Sequence, residues 1–91
     1  MNTEDDYIAE SEVFRVLDYE IEVKDELISE ALKYLPEKKR NVILLSFFLD
    51  MTDTEIAKHM NLVRSTIHHH RVSSLQALKK IMEGIRNGEI K

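Results

Sequence analysis

Apolar positions recur at helical intervals through the middle of the chain. Five of them are separated by one, three, one and three residues, which places them on one stripe and predicts a helix over Lys24–Leu35. Pro36 ends this helix, because the residue before a proline avoids helical geometry, and it can open the next helix at its first position. That second helix is predicted to run to about Leu49. Because it is almost entirely apolar from Val42 onward, we expect it to be the buried centre of the molecule.

The pattern before Lys24 is weaker. Five apolar side chains in Tyr7–Leu17 stand at approximately helical spacing and predict a short helix. From Leu17 to Val23 apolar residues alternate with acidic ones, which is typical of an extended chain. We interpret this stretch as a connector, because a lone strand has no partner in a chain of this size.

A second helical pattern begins at Thr52. Thr52 and Glu55 form a capping-box sequence, in which the Thr52 hydroxyl accepts from the Glu55 amide and the Glu55 side chain reaches back. The box predicts a short helix over Asp53–Met60, followed by a three-residue turn. Asn61 suits the end of this helix, because asparagine tolerates the left-handed conformation.

A last helix is predicted from about Arg64 to Gly84, where Gly84 and Gly88 stop it and leave a frayed tail. A short capped helix, a tight turn and a longer helix make up the helix-turn-helix plan. The apolar positions agree with this plan, because they fall where the two helices and their turn must pack together. These positions are Ile56, Ala57, Met60, Leu62, Ile67, Leu75, Leu78 and Met82.

Composition favours a helical domain. With only 2 Gly and 1 Pro in 91 residues, the chain has too few turn residues for an all-β fold, so we expect an all-α bundle of four to five helices. The absence of cysteine excludes disulfides and cysteine-based zinc sites. No apolar run approaches the roughly 18 residues of a membrane span, and the acidic N-terminus is unlike a signal peptide. We therefore expect a cytoplasmic, nucleoid-associated protein with an acidic arm (residues 1–23), a helix-turn-helix domain (24–84) and a tail (85–91).

Charge is distributed unevenly along the chain. The net charge is −4, but residues 1–40 hold twelve acidic and six basic side chains, a net of −6. Residues 56–82 hold no acidic side chain, five basic ones and all 4 His. This asymmetry indicates one face for a polyanion, although an ordinary solvated surface can show it too.

Four sequence features follow one another in a fixed order from Leu35 onward. They are the leucine-proline-glutamate of Leu35–Glu37, the apolar helix of Val42–Phe48, the Thr-x-x-Glu-Ile-Ala of Thr52–Ala57, and the pair Thr66 and Ile67 in the last helix. Together they resemble region 4 of sigma-70 family RNA polymerase sigma factors, and the likeness covers about residues 31–80. The chain is similar to small sigma-like regulators of Gram-positive bacteria and their mobile elements. The resemblance implies a helix-turn-helix of the sigma region 4 type, without a wing.

The chain departs from the family pattern at four positions. Asn61 stands in place of the usual turn glycine, and Val63 in place of a serine or threonine cap. His70 and Arg71 occupy a turn where related sequences usually have an apolar residue. Nothing in the chain resembles the sigma region that melts promoter DNA and grips the polymerase core. We therefore expect a fragment of a sigma factor or a small natural regulator.

The resemblance implies sequence-specific binding of double-stranded DNA in transcription initiation, with the recognition helix reading a −35 promoter element in the major groove. In this arrangement Arg64 can read guanine and Val72 can touch a thymine methyl, while His68 and His69 bond bases or phosphates. The candidate DNA-binding residues are Thr52, Thr54, Lys58, Arg64, Ser65, Thr66, His68, His69, Arg71 and Val72. Lys58, Arg71 and the helix N-terminus near Thr52 are expected to position the phosphate backbone.

The partner implied by the resemblance is RNA polymerase, through the flap of its β subunit. The apolar residues of Leu44–Phe48 are the candidate contact, although the core needs the same residues. With about five cations near the motif, a monomer should bind DNA weakly, so the protein needs either tethering to polymerase or a homodimer. Two alternatives stay open. One is a free regulator of the LuxR type, and the other is a sigma-like adaptor that contacts polymerase without reading DNA.

Three consecutive histidines raise the question of a metal site. On a helix, His68, His69 and His70 point about 100° apart and cannot share one ion, so we expect no metal and no cofactor. The chain also has no glycine-rich phosphate loop and no nucleophile-base pair. We therefore expect a protein that is not an enzyme.

Overall fold

Two strands and four helices make up residues 11–90, the part of the chain that the computed structural model describes. The strands are β1 (Glu12–Val16) and β2 (Tyr19–Val23). The helices are α1 (Glu26–Leu32), α2 (Glu37–Ile43), α3 (Asp53–Met60) and α4 (Arg64–Arg86). A π-helical turn, Leu44–Phe48, continues α2. The fold is mostly helical but not all-α.

The two strands form an antiparallel hairpin in which Phe14 lies opposite Ile21 and Val16 lies opposite Tyr19. Every second side chain faces the helices, and Val16, Ile21 and Val23 are buried there. The predictions of an all-α fold and of a helix reaching Leu17 are therefore wrong, as is the interpretation of Leu17–Val23 as an unpaired connector. The partner of β2 is β1, the segment just before it, in which branched and aromatic side chains face the helices at alternate positions. The remainder of that predicted helix, residues 7–10, lies outside the described residues.

Two side-chain contacts add to the apolar packing between the hairpin and the helices. Lys33, just after α1, places its Nζ 3.1 Å from Glu12 Oε2 in β1, and this hydrogen bond raises the pKa of Lys33. The ring of Tyr19 meets that of His59 in α3 edge-on, with 6.0 Å between centroids. The residues predicted as an acidic arm thus include a hairpin that packs into the same core as the helices. The division of the chain at residue 24 stays a prediction.

The first two helices begin and end close to the predicted positions. Asp25 caps α1 by accepting a hydrogen bond from the Ile28 amide at 2.9 Å. The end of α1 is a tighter, 3₁₀-like turn, because the amide of Leu35 donates to the carbonyl of Leu32, three residues earlier, at 3.1 Å. Pro36 immediately precedes the first residue of α2 instead of occupying it. Helical geometry ends at Phe48, one residue before the predicted end.

The centre of the core is the end of α2 and the start of the π-helical turn, as predicted. Val42, Ile43, Leu44 and Leu45 are at most 2% exposed. The next apolar pair differs, since Phe47 is 49% and Phe48 37% exposed. Helix α4 packs against α1, α2 and α3 and so joins the whole bundle. Within residues 11–90, no helix is long and apolar enough to cross a membrane.

The end of α4 lies two residues beyond the predicted stop at Gly84. The helix closes in a Schellman motif, in which the Gly88 amide bonds the Ile85 carbonyl at 3.1 Å and the Glu89 amide bonds the Gly84 carbonyl at 2.7 Å. Gly88 has φ +79°, the left-handed conformation that such an end requires. Gly84 is buried because the side chain of Ile90 folds back onto it. Residues 85–90 therefore end the helix in an ordered way.

Candidate nucleic-acid interface

Helix α3 begins and ends as its sequence predicts. The Glu55 amide donates to Thr52 Oγ1 at 3.1 Å, and the Thr52 amide donates to Glu55 Oε1 at 2.9 Å, so the capping box is confirmed. At the other end Asn61 adopts the left-handed conformation, with φ 57° and ψ 45°. The amide of Leu62 then bonds the Ala57 carbonyl at 3.0 Å and closes the turn. These local bonds set where the next helix can start.

Helix α4 begins at Arg64 without a side-chain cap. Val63 takes the extended conformation of a capping residue, with φ −82° and ψ 154°, but its side chain has no acceptor. Its carbonyl accepts from the amides of Thr66 and Ile67 at 3.1 and 3.2 Å. The departure from the family at Val63 therefore leaves the start of the helix where the sequence predicts it.

Five of the predicted DNA-binding residues form one exposed stripe on the first half of α4. They are Arg64, Ser65, His68, His69 and Val72. Their spacing of i, i+1, i+4, i+5 and i+8 places them on one helical face. Ile67 is buried and packs in the same core as Ile56 of α3, so the stripe faces outward. This is the geometry that a helix needs to lie in the major groove of DNA.

The other five predicted residues surround this stripe unevenly. Thr52, Thr54 and Lys58 are exposed on α3. Thr66 and Arg71 are half-buried on α4. The first three side chains are therefore open to solvent, whereas the guanidinium of Arg71 is bound within the motif.

Arg71 is held by an acidic residue that the sequence analysis did not select, Asp53 at the start of α3. Its Nε lies 2.9 Å from Asp53 Oδ1 and its Nη2 lies 3.0 Å from Oδ2, a bidentate ion pair. The hydrogen bond from Arg71 lowers the pKa of Asp53, and the same bond raises that of Arg71. The guanidinium therefore ties the first turn of α3 to the second turn of α4. A charge pair 18 residues apart across a predicted helix-turn-helix was the signal that could have found Asp53.

His68 joins the same cluster. Its Nδ1 lies 3.0 Å from Arg71 Nη2 and 3.4 Å from Asp53 Oδ2. Together with Arg64 and Ser65, His68 and Asp53 line a shallow concavity between the starts of α3 and α4. The concavity offers donors from three side chains and acceptors from the Asp53 carboxylate, which suits a polar ligand such as a base edge or a phosphate.

The neighbouring His70 points the other way, into the packing between helices. Burial lowers its pKa, and the positive charges of Lys39, His69 and Lys38 lower it further. Within residues 11–90 its Nδ1 is buried without a hydrogen-bond partner. Among these described residues no three His, Asp or Glu side chains lie close enough together to hold a metal ion.

Comparison with known proteins supplies one match. The family model described as Sigma-70, region 4 matches residues 25–78, from the cap of α1 to the middle of α4. No curated protein and no solved structure shows a significant match. The matched segment includes α1, α2 and α3, the turn at Asn61 and the exposed stripe of α4. It covers more than half of the chain, and the chain therefore belongs to the sigma-70 region 4 family of helix-turn-helix domains, which bind DNA in transcription.

Proposed function

We propose that the protein binds double-stranded DNA sequence-specifically, reads a −35-like promoter element with α4 in the major groove, and does so together with RNA polymerase. The observation that carries this proposal is the exposed stripe of polar and basic side chains on α4, positioned by the buried Ile67 in a member of the sigma-70 region 4 family. A helix presented in this way brings its N-terminal residues to the base edges.

The contacts with the DNA bases are made mainly by the first two turns of α4. Arg64 is exposed at the first position of the helix, so its guanidinium can form two hydrogen bonds to the O6 and N7 atoms of guanine. Ser65 and His68 lie beside it in the concavity. Val72, one turn further, is 41% exposed and can contact a thymine methyl.

The contacts with the phosphate backbone of the DNA are made by residues around the stripe. Lys58 and His69 supply exposed donors, and the exposed hydroxyl of Thr54 in the first turn of α3 adds another. Thr52 is already engaged in the capping box, and two nitrogens of Arg71 are engaged with Asp53. We therefore propose that Thr52 and Arg71 contribute mainly by shaping the motif, and Thr66 by packing beneath the stripe.

Association with RNA polymerase explains how a motif with so few basic side chains can act at a promoter. Asp53 and Glu55 stand at the start of α3 and oppose the approach of phosphates, so free affinity should be low. Tethering to polymerase raises the effective concentration of α4 at the promoter. Phe47 and Phe48 are the apolar side chains of the π-helical turn that the core leaves exposed, and they are the proposed contact with the β flap.

Gel-shift titrations on a −35-like duplex and on a scrambled duplex test the DNA half of this proposal. Arg64→Ala should weaken binding to the −35-like duplex roughly 5- to 150-fold, the effect of one bidentate base contact, with little effect on the scrambled one. Lys58→Ala should weaken both duplexes equally. Lys24→Ala, an exposed change just before α1, is the control and should alter neither. Equal losses for Arg64→Ala on both duplexes would contradict base reading.

Capture by RNA polymerase core enzyme tests the other half. The wild-type protein should be retained, and the double variant Phe47→Ser, Phe48→Ser should be released. Tyr34→Ser, which changes an aromatic residue of similar exposure after α1, is the matched control. If core enzyme retains nothing while the protein binds DNA specifically as a dimer, a free regulator replaces the sigma-like proposal.

A further inference from the structure

We propose that Arg71 and Asp53 are positioning residues that make His68 a fixed hydrogen-bond donor, so that His68 selects base edges with an acceptor in the major groove, above all the N7 atom of a purine. A neutral histidine can present either a donor or an acceptor, depending on which ring nitrogen carries the proton. The assignment of the proton follows from the contacts of His68. The step from His68 to DNA rests on the proposed function.

The contact between Arg71 and His68 decides the tautomer. Arg71 Nη2 lies 3.0 Å from His68 Nδ1. A guanidinium nitrogen can only donate, so at this distance Nδ1 must accept. The single proton of the neutral ring is then on Nε2. The opposite tautomer would direct the Nδ1–H bond at a donor, and the one acceptor near Nδ1, Asp53 Oδ2, lies farther away at 3.4 Å.

Asp53 keeps Arg71 in the position that this contact needs. Its two carboxylate oxygens hold Nε and Nη2 of the guanidinium at 2.9 and 3.0 Å, which orients the second hydrogen of Nη2 towards His68. Asp53 Oδ2 also lies 3.4 Å from Nδ1. When the ring takes up a second proton, its Nδ1–H therefore has an acceptor in Asp53. In both protonation states Nε2 carries hydrogen.

The fixed donor stands where a base edge is expected. The side chain of His68 is 61% exposed, and it lines the concavity together with Arg64 and Ser65. An Nε2–H group there pairs with an acceptor such as a purine N7 and is opposed by the amino group of cytosine. His69 is a natural comparison, because among residues 11–90 no side-chain hydrogen bond fixes its ring.

Nitrogen-15 NMR of the histidine-labelled protein, without DNA and at slightly alkaline pH, tests the tautomer. His68 should show a protonated Nε2 and an unprotonated Nδ1. In Arg71→Met only Asp53 faces Nδ1, so the proton should move to Nδ1, while the His69 signals stay unchanged. The wild-type spectrum decides the assignment even if the variant does not fold. A wild-type His68 with Nδ1 protonated, or with the same tautomer mixture as His69, overturns the proposal.

Replacement of single purines by their 7-deaza analogues in the preferred duplex tests the base-reading step. Wild-type protein should lose about tenfold in affinity at one purine, the low end of a specific base contact. The affinity of His68→Ala should not change when that purine is replaced by its 7-deaza analogue. The affinity of His68→Gln, which retains a donor, should still decrease. If no purine shows the effect, His68 does not read N7 and this step is wrong. If the wild-type protein binds no duplex, both the proposed function and base reading by His68 are wrong. The NMR result still decides the tautomer of His68 in that case.

Discussion

Arg71 donates two hydrogen bonds, of 2.9 and 3.0 Å, to the carboxylate of Asp53 across the helix-turn-helix. The side chains are 29% and 15% exposed, so the pair lies at the edge of the core and not in open solvent. His70 and Arg71 lie in the turn where the resemblance to the family leads one to expect an apolar residue. In this chain a directional contact therefore joins the two helices of the motif in addition to the buried Ile56 and Ile67.

A double-mutant cycle with Asp53→Ala and Arg71→Ala should reveal this coupling. Because the pair is bidentate and partly buried, we expect a coupling free energy of about 1 kcal/mol in urea unfolding. Arg15 and Glu20 supply the control, since their 2.7 Å ion pair on the hairpin is 77% and 59% exposed. That cycle should give only a few tenths of a kcal/mol, about the lower limit for surface pairs. Equal couplings would mean that Asp53 and Arg71 do not stabilise the motif in solution.

The burial of His70 predicts a loss of stability in mild acid. Its pKa is lowered in the folded protein from an ordinary value of 6.5, chiefly by burial and further by Lys39, His69 and Lys38. As the pH falls through 6.5, the unfolded chain takes up a proton that the native chain refuses, so the free energy of unfolding decreases. The decrease ends once the native His70 is protonated as well. Its slope is at most about 1.4 kcal/mol per pH unit for this one group.

Urea unfolding between pH 7.5 and 5 measures this effect. His70→Leu should remove the contribution of His70 and flatten the profile. His69→Leu, a change of the exposed neighbour, should keep most of the wild-type slope. A profile for His70→Leu that is as steep as the wild type would contradict the prediction.

Ser74 is fully buried in α4, and among residues 11–90 its hydroxyl has no hydrogen-bond partner. Ser74→Ala should therefore stabilise the protein by about 1 kcal/mol, since it removes an unsatisfied buried hydroxyl and introduces a better helix former. Ser73→Ala is the matched control, because the Ser73 hydroxyl donates to the His70 carbonyl at 3.4 Å and is only half-buried. It should gain less. A destabilised Ser74→Ala would show that the hydroxyl is satisfied in solution.

Loss of the capping box should cost stability at the start of α3. Thr52→Ala removes the oxygen that accepts from the Glu55 amide, and we expect a cost of about 1 kcal/mol. For a domain of this size that corresponds to a decrease in Tm of roughly 4–8 °C. Thr54→Ala, two residues later on the exposed side, should shift the Tm much less. Similar shifts for both variants would argue against a specific role of the cap.

The helix-turn-helix could be predicted from the sequence because short-range signals determine its limits. Thr52 and Glu55 mark the start of α3, Asn61 marks its end, and Ile56 and Ile67 are the apolar positions through which the two helices pack across the short turn. Each signal acts within about one helical turn of the residue that it positions. The limits of α3 and the start of α4 therefore agree with the structure.

The hairpin could not be predicted in the same way, because its turn lacks the usual residues. Leu17 adopts φ 57°, a conformation typical of glycine or asparagine, so Leu17-Asp18 carries no turn signal. Its strands are held by long-range packing against the helices, and from Glu12 to Leu17 that packing overrides the helical spacing of the apolar residues. The stripe on α4 was predictable from helical periodicity, whereas the pairing of Asp53 with Arg71 depends on the relative position of two helices.

The position of α4 in the bundle has a consequence for how the protein forms in the cell. Helices α1, α2 and α3 each pack against α4, although it is the last of the four to be synthesised. A nascent chain that ends before Arg64 cannot complete the core, because α1, α2 and α3 then lack the helix against which all three pack. At about 5–20 residues per second, the ribosome needs roughly 1–5 s to make this one helix. The bundle therefore completes its folding only after α4 has been translated, instead of element by element.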